Sequence, residues 1–502
     1  MKDILKRPMR IAKFSFYLCL EGILLAILIL FVFTACSHKN TLDTFNKYYY
    51  EEDTHKAYKY AKSQAGDSGD VLWNLQAGIS AFEIQNEDAH NILEQGENLF
   101  SKYESQGLLG GFFDNTGAVL INENVKTYRG NIYEGVMFNY YKALNAMAKG
   151  DYALARVEFN RANDRQRRAK DYFRKDIQKA LDEQKQQNAQ DANLKNIDVS
   201  SSSKSISPIL HQNYSNLKNF NAYTGFINPS VSYVSALFFM LENDYSKAMD
   251  LYKESYGINN ASVIVSDLEV LEKRKYGYNQ SKYTWVIIEE GQSAQKVEIS
   301  LDLPAYLVSH NVLHVGISLP ELTMGRLSAK DYRAVSANNP SIIYQASEVS
   351  DLDRVIANEF EKQLPFIVTR AVSSAVLKSV TQSVLSDNFG IYGALAGMLY
   401  SISTNSADIR ISTALPKRTM VMQIAHKQED VIIESDGKQL YHLHFLKDCN
   451  KGENVEKSDK KIKDKKNSKY FIVLCQKNDN ILHLRIKNNS SNYQILKGGI
   501  SE

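Results

Sequence analysis

Between residues 41 and 278, apolar residues recur every three or four positions, which is the spacing of one face of a helix. Short polar breaks separate the apolar runs, so this part of the chain is predicted to form a series of short helices. One phrase occurs three times, with an alanine four residues after an aspartate, at Asp53, Asp151 and Asp244. The repetition indicates that one kind of helix pair is used several times.

Each residue of this phrase has a defined place in a helical hairpin. The aspartate caps the second helix, and the small alanine lies where the two helices approach most closely. Gly150, just before Asp151, supplies the left-handed turn that ends the first helix. Glu87 opens a less regular copy 34 residues after Asp53, and 34 is the period of tetratricopeptide repeats. We therefore expect a tetratricopeptide-like array of helical hairpins over residues 36–278.

From residue 282 onward the period changes to two, which is the spacing of strands with one buried face. Pro320 is expected to end a strand, residues 351–403 are predicted to be helical, and Asp436-Gly437 is a hairpin signal. The fold class is therefore predicted to be α+β, with an antiparallel β-sandwich or barrel over residues 279–502 that carries a helical insertion. Strands are expected at residues 283–288, 296–303, 312–319, 418–425, 431–434, 439–446, 470–476 and 481–486.

The first 35 residues have the pattern of a lipoprotein signal peptide. Five basic side chains precede a short apolar run, residues 22–35, which ends in Phe33-Thr34-Ala35 before Cys36. Small residues fit the positions before the cut, and the Cys36 thiol would take the lipid. Phe33 departs from the aliphatic residue that is usual three positions before such a cysteine. We expect Cys36 to be the lipidated first residue of the mature chain.

A competing interpretation keeps the leader as a single membrane-spanning helix over residues 14–35. That helix would place Glu21 in the bilayer, where a charge is costly. A lipid-anchored protein with Ser37 after the cysteine is expected on the periplasmic face of the outer membrane. The alternative is a single-span anchor in the inner membrane.

The charge of the chain gives no sign of a nucleic-acid partner. The leader carries five of the 60 basic and two of the 57 acidic side chains, so the remainder is balanced at 55 of each. A balanced chain lacks the basic excess that phosphate backbones attract. Its expected contacts are therefore the membrane lipid and envelope proteins whose identity the sequence does not give.

The four cysteines divide between the leader and the C-terminal part. Cys19 lies in the leader and Cys36 at the expected anchor, which leaves Cys449 and Cys475. An even pair in an oxidising compartment can form a disulfide, here across the charged segment 447–469. Two unpaired thiols are the alternative.

Three arginines form the sharpest local motif of the helical half. On a helix, Arg161, Arg165 and Arg168 share one face. Such a face can grip carboxylates of a partner, or of a cell-wall peptide, through paired hydrogen bonds. The simpler interpretation is a solvated face whose arginines pair with Glu158 and Asp164.

The sequence offers no catalytic, cofactor or metal motif on which an activity can be based. His442 and His444 lie two apart on one predicted strand, which is metal-ligand spacing, but no third ligand is near except His426 or Cys449. We therefore assign no metal ligand, no cofactor and no catalytic residue, and expect a protein that is not an enzyme.

Several phrases resemble a family of uncharacterised bacterial lipoproteins. They are Gly150-Asp151-Tyr152 through Arg161, then residues 164–168, Asn228-Pro229 through Tyr233, and Arg354 through Phe360. The resemblance covers about residues 70–415. It implies a tetratricopeptide-like N-terminal half and a β-rich C-terminal half, and it brings no biochemical activity with it.

These observations favour a non-enzymatic envelope scaffold whose curved helical array holds a partner in its concave groove. The simpler alternative is that the helical half is a spacer without a binding groove. An activator or assembly factor for cell-wall synthesis, acting through the arginine face, is the second hypothesis. A hydrolase with an unrecognised site in the β-rich half is the third.

Overall fold

The fold was analysed in a computed structural model. It describes residues 37–66, 69–108, 127–190, 212–278, 281–303, 315–404, 406–427, 430–447, 449, 471–488 and 490–498. Helices fill the N-terminal half and mixed sheets fill most of the C-terminal half, so the fold class is α+β as predicted.

The N-terminal half contains nine α-helices in its described residues. They are α1 Ser37–Asn46, α2 Thr54–Ala65, α3 Val71–Glu83, α4 Ala89–Gln106, α5 Ile132–Ala148, α6 Tyr152–Gln190, α7 Pro229–Leu241, α8 Tyr245–Ile258 and α9 Ser262–Lys275. Three neighbouring pairs pack together as hairpins, namely α3 with α4, α5 with α6 and α7 with α8. Two of these pairs, α5 with α6 and α7 with α8, lie at the Asp151 and Asp244 copies of the phrase, and α3 with α4 lies at the Glu87 copy.

The turns inside the three hairpins share one backbone conformation. Gln85, Gly150 and Asn243 have positive φ angles of 57°, 75° and 63°. In the middle turn the Asp151 N–H donates to the Ala146 carbonyl at 2.9 Å, a bond that caps a helix whose last turn is followed by a residue in the left-handed conformation. The other two turns have the same bond. Only one of the three positions is glycine, so the sequence signals this turn clearly once.

The repeated Asp–Ala phrase lies where the hairpin model places it. Asp53 and Asp151 each accept a hydrogen bond from a backbone N–H in the first turn of the next helix. Asp244 instead binds the Arg156 side chain at 3.0 Å. The alanines four residues after each aspartate are fully buried: Ala57, Ala155 and Ala248.

Two glycines allow α4 and α5 to cross closely. A Cβ atom on Gly135 would overlap the Phe100 ring, and one on Gly96 would overlap the Phe138 ring. Each glycine therefore receives an aromatic ring from the opposite helix. A side chain at either place forces the helices apart or the ring out of its rotamer.

We expect Gly135→Ala to lower the free energy of unfolding by about 1–3 kcal/mol, because the added methyl overpacks this crossing. Gly257→Ala is the matched control, since Gly257 also lies in a helix but has no atom near its missing Cβ. Alanine there is expected to be neutral or stabilising by up to about 1 kcal/mol. Urea unfolding of both variants measures the difference, and equal stabilities would contradict the close crossing.

The C-terminal half contains twelve strands in its described residues. They are β1 Tyr283–Glu290, β2 Gln295–Leu303, β3 Val315–Thr323, β4 Tyr332–Ser336, β5 Ile343–Gln345, β6 Ser347–Asp351, β7 Arg418–Ala425, β8 Asp430–Ser435, β9 Lys438–Leu446, β10 Phe471–Cys475, β11 Asn480–Lys487 and β12 Ser490–Lys497. Sheet 1 has the order β12-β11-β1-β7-β6, sheet 2 has the order β10-β9-β8-β4-β5, and β2 pairs with β3.

The two sheets are mixed, and the prediction of a purely antiparallel domain is wrong. Strand β1 runs parallel to β11, and β9 runs parallel to β10. Each of these pairs joins strands that are separated by long stretches of chain. Sequence periodicity marks a strand but carries no information about such a distant partner.

Strand β1 is buried on both faces and separates two cores. Val286 and Ile288 point into an apolar cluster that sheet 1 shares with sheet 2. Trp285 and Ile287 point the other way, into a larger cluster that they share with the helices. The molecule is therefore layered, with outer helices, inner helices, sheet 1 and sheet 2 in that order.

The inner helices α3, α5 and α7 are buried along almost their whole length. Their inner side packs on sheet 1, with α3 and α5 against β12 and α7 against β6. One apolar cluster runs from Leu42 to Leu496 and includes both halves of the chain. The chain's own sheet thus occupies the face where the sequence suggested a groove for a partner, and residues 36–278 and 279–502 share a core.

The predicted helical insertion is a long helix, α10 Leu352–Thr404, with Pro365 inside it. It leaves the sheet at β6, and its first turns pack on β3. Among the described residues no helix is both long enough and apolar enough to cross a bilayer.

Candidate functional site

The expected lipid anchor, Cys36, and the whole leader lie outside the described residues. The two remaining cysteines of the C-terminal part are joined, since Cys449 and Cys475 form a disulfide with their Cα atoms 5.7 Å apart. This bond ties the end of β9 to β10 across 26 residues. Most of the charged segment that it closes also lies outside the described residues.

Of the three arginines on α6, two have exposed side chains. Arg161 is about half exposed and binds Glu158 at 2.7 Å, and the Arg168 Nε donates to the Asp164 carbonyl oxygen at 3.3 Å. These intramolecular partners are the ones that the simpler interpretation names. Both side chains still reach solvent.

Arg165 points into the protein, so the three arginines do not form one exposed face. Its side chain is 7% exposed and binds Glu97 at 2.8 Å and the Gly135 carbonyl at 3.0 Å. A third bond reaches Glu104 at 3.3 Å, and the guanidinium lies over the Phe100 ring. The arginine thus joins α4, α5 and α6, and it does not share an exposed face with Arg161 and Arg168.

A buried charge network, which we call the Glu83 network, joins the helices to sheet 1. Glu83 ends α3 and binds Lys487 of β11 at 2.7 Å. Arg485, two residues earlier on β11, lies 3.7 Å from the same carboxylate, and Tyr49 donates its hydroxyl to it. All four side chains are almost fully buried. Burial lowers the pKa of Lys487, because it disfavours the ammonium form.

A second carboxylate, Glu289 of β1, balances the charge of this region. It accepts a hydrogen bond from Tyr141 at 2.7 Å and lies 3.2 Å from His483. Burial alone would raise the pKa of Glu289, but the neighbouring His483 and Arg485 hold it below its ordinary value. Two cations therefore face two carboxylates, which is the condition for a stable buried network.

Asp267 of α9 lies at another point of the contact between the helices and sheet 1. Its carboxylate accepts hydrogen bonds from Tyr233, Trp285 and Gln423, each at 2.7 Å. Burial raises the pKa of Asp267 to about 6, and the three donors only partly offset that effect. The residue connects α7, α9, β1 and β7.

The raised pKa of Asp267 predicts a definite pH dependence. Between about pH 4 and pH 6 the folded state holds a proton that the unfolded state has released, so the stabilisation from this proton is lost as the pH rises. Asp267→Asn lacks this titration and serves as the reference. The unfolding free energy of the wild type minus that of the variant should be about 1.4 kcal/mol larger at about pH 5 than at about pH 7.5. Urea titrations at both pH values measure the gain. A gain of zero or of opposite sign would contradict the assignment.

The two histidines on β9 share one acceptor. His442 Nε2 and His444 Nδ1 each lie 2.8 Å from Asp430 Oδ1. The three side chains form a hydrogen-bonded group, with His442 stacked on Phe471. Within the described part of the chain, no group of three or more His, Cys, Asp or Glu residues has the arrangement of a metal site.

A cleft of about 500 Å³ opens where the helical half meets sheet 1. Several segments that are distant in sequence contribute to it, and its lining is mostly polar. The main lining side chains are Tyr152, Tyr245 and Arg274 from the helices, and Lys282, Asp479 and Lys497 from the strands and their loops. This cleft is a candidate ligand site.

Sequence reasoning did not find this cleft. Its charged members lie singly at the ends of elements, with Lys282 before β1, Asp479 before β11 and Lys497 at the end of β12. No spacing rule connects such positions. The only local signal was the repeated Asp–Ala phrase, in which Tyr152 and Tyr245 directly follow Asp151 and Asp244 at equivalent helix starts.

The chain matches no protein-family model, no curated protein and no solved structure. The resemblance to lipoproteins therefore stays a sequence-based expectation.

Proposed function

We propose that the protein is a lipid-anchored component of the cell envelope that binds a partner there and catalyses no reaction. Cys36 would carry the lipid and hold the folded body at the periplasmic face of the outer membrane. A single-span anchor in the inner membrane is the alternative attachment. The partner would be an envelope protein rather than a nucleic acid.

One observation carries the proposal, namely the bond between Cys449 and Cys475. Disulfides form and persist in oxidising compartments such as the periplasm and are rare in the cytosol. These two are the only cysteines after Cys36. The bond therefore agrees with the export that the leader pattern indicates.

The architecture is the basis for a binding role without catalysis. The buried charged groups of the Glu83 network and around Arg165 bind one another and join structural layers. We also propose that the hairpins are tetratricopeptide-like, with support from their common turn, and that the facing sheets form a sandwich. The partner surface would lie outside the inner helices, because sheet 1 covers them.

Affinity capture of the full-length protein from crosslinked envelope membranes tests this function. A partner recovered in stoichiometric amount with the wild type, and in reduced amount with Cys36→Ser, is the expected result. Cys19→Ser is the matched control, because it also removes a thiol but lies in the leader. Failure to recover any stoichiometric partner with the anchored protein would contradict a scaffold role.

A further inference from the structure

The cleft between the helices and sheet 1 carries an excess of positive charge. Arg274, Lys282 and Lys497 line it, whereas Asp479 is the only acidic residue in its lining. Asp479 serves two of the cations, with Arg274 at 2.8 Å and Lys282 at 3.2 Å. Lys497 binds Glu242 at 2.9 Å at the margin of the cleft. Three cations thus share two carboxylates.

Arg274 is held rigidly and keeps donors available. Its side chain is only 10% exposed, and its Nη2 atom donates to Asp479 and to the Ser281 carbonyl at 3.2 Å. No other guanidinium N–H has a hydrogen-bond partner in the part of the chain described here. The guanidinium lies over the rings of Tyr283 and Trp285, which fix its plane. A guanidinium whose plane is fixed can donate two parallel hydrogen bonds to a planar anion such as a carboxylate.

The rest of the lining suits a small polar ligand with an apolar side. Tyr152 and Tyr245 contribute aromatic side chains to the lining, and Lys497 lies 4.1 Å from the centre of the Tyr152 ring. The volume of about 500 Å³ falls in the range of small-molecule sites. Such a space accommodates a dipeptide or a monosaccharide.

Asp479 explains why the cations stay in place without a ligand. Besides its two ion pairs, it accepts the Tyr283 N–H at 3.1 Å, so three groups fix its position. It neutralises part of the charge of Arg274 and Lys282. The unmatched positive charge is therefore shared by Arg274 and Lys282, because Lys497 has its own carboxylate partner in Glu242.

We propose that this cleft binds a small ligand through a free carboxylate, which Arg274 and Lys497 hold while the tyrosines contact its body. The carboxylate can belong to the C-terminus of a short peptide or to an acidic sugar. The inference goes beyond the proposed envelope function and does not depend on the lipid anchor. It applies to the purified protein wherever the protein resides.

Isothermal titration of the full-length protein in detergent tests the proposal. The probes are N-acetyl-alanyl-alanine and glucuronate, with the amide of the dipeptide and glucose as neutral counterparts. At least one acid is expected to bind with a Kd below about 1 mM, and its neutral counterpart at least about tenfold more weakly. Binding of one acid only identifies the source of the carboxylate, and either case supports the proposal.

Variants locate the binding in the cleft. Lys497→Met is expected to weaken binding of the acid at least about tenfold, a loss of roughly 1.4 kcal/mol. Lys253→Met on the exposed side of α8 is the matched control and should bind as the wild type does. A thermal melt of each variant reports whether it is folded.

Three results would overturn the proposal. The first is no binding of either acid by the folded wild type, and the second is equal binding of acid and neutral counterpart. The third is an unchanged affinity in Lys497→Met. Inorganic phosphate binding as tightly as the acids would also overturn it, because it would show a general anion site rather than one for carboxylates.

Discussion

Replacing Glu83 with alanine is expected to lower the free energy of unfolding by about 3–5 kcal/mol, the largest single effect we predict. The substitution leaves Lys487 and Arg485 buried without their nearby carboxylate. It also removes the acceptor of the Tyr49 hydroxyl. Because the network joins α3 to β11, both halves of the chain should lose stability together in urea unfolding.

Glu51→Ala is the control for this substitution, because Glu51 lies nearby but is exposed. Its expected effect is within about 0.5 kcal/mol of zero. Glu83→Gln keeps the shape and an acceptor, so its loss should be intermediate. If Glu83→Ala and Glu51→Ala cost the same, the buried network does not stabilise the junction of helices and sheet.

Arg165→Ala is expected to lower the free energy of unfolding by about 3–4 kcal/mol, the second-largest effect. The substitution leaves Glu97 and the Gly135 carbonyl without their buried donor. The guanidinium holds the pKa of Glu97 below its ordinary value against the opposing effect of burial, so the lost ion pair is a strong one.

The same helix supplies the controls. Arg161→Ala and Arg168→Ala remove exposed side chains and are expected to cost less than about 1 kcal/mol each. Urea unfolding of the three variants separates the two roles. Three similar small losses would mean that Arg165 is as dispensable as its exposed neighbours, and would restore the shared arginine face as a possible partner surface.

Local patterns predicted most single elements because short-range physics determines them. The strand expected at residues 418–425 is β7 Arg418–Ala425, and the helix expected at 351–403 is α10 Leu352–Thr404. The positive φ of Gly150 and the buried Ala155 also follow from the hairpin phrase. In each case the deciding interactions lie within a few residues.

Other elements could not be predicted because their neighbours decide them. Strands β4, β5 and β6 have at most five residues, too few for a period to show. Pro320 does not stop β3, which continues to Thr323. Among the described strands β3 pairs only with β2, so one of its edges is open, and a proline is tolerated on an edge strand.

No local pattern indicates what the polar face of β11 contacts. His483 and Arg485 alternate with apolar residues, a pattern typical of a strand with one side in water. That side instead packs on the helices, where Glu83 and Glu289 neutralise it. Alternation of polar and apolar residues indicates that one face of a strand is polar. Whether that face is exposed to solvent depends on what packs against it in the fold. The open groove was expected on the face of the helices that sheet 1 covers.

Incorporation of labelled palmitate in growing cells tests the central claim, the lipid anchor at Cys36, most directly. The wild type and Cys19→Ser should carry the label at the mature size, whereas Cys36→Ser should be unlabelled and keep its leader. A wild-type protein without label, or a Cys36→Ser variant labelled as strongly as the wild type, would contradict the account.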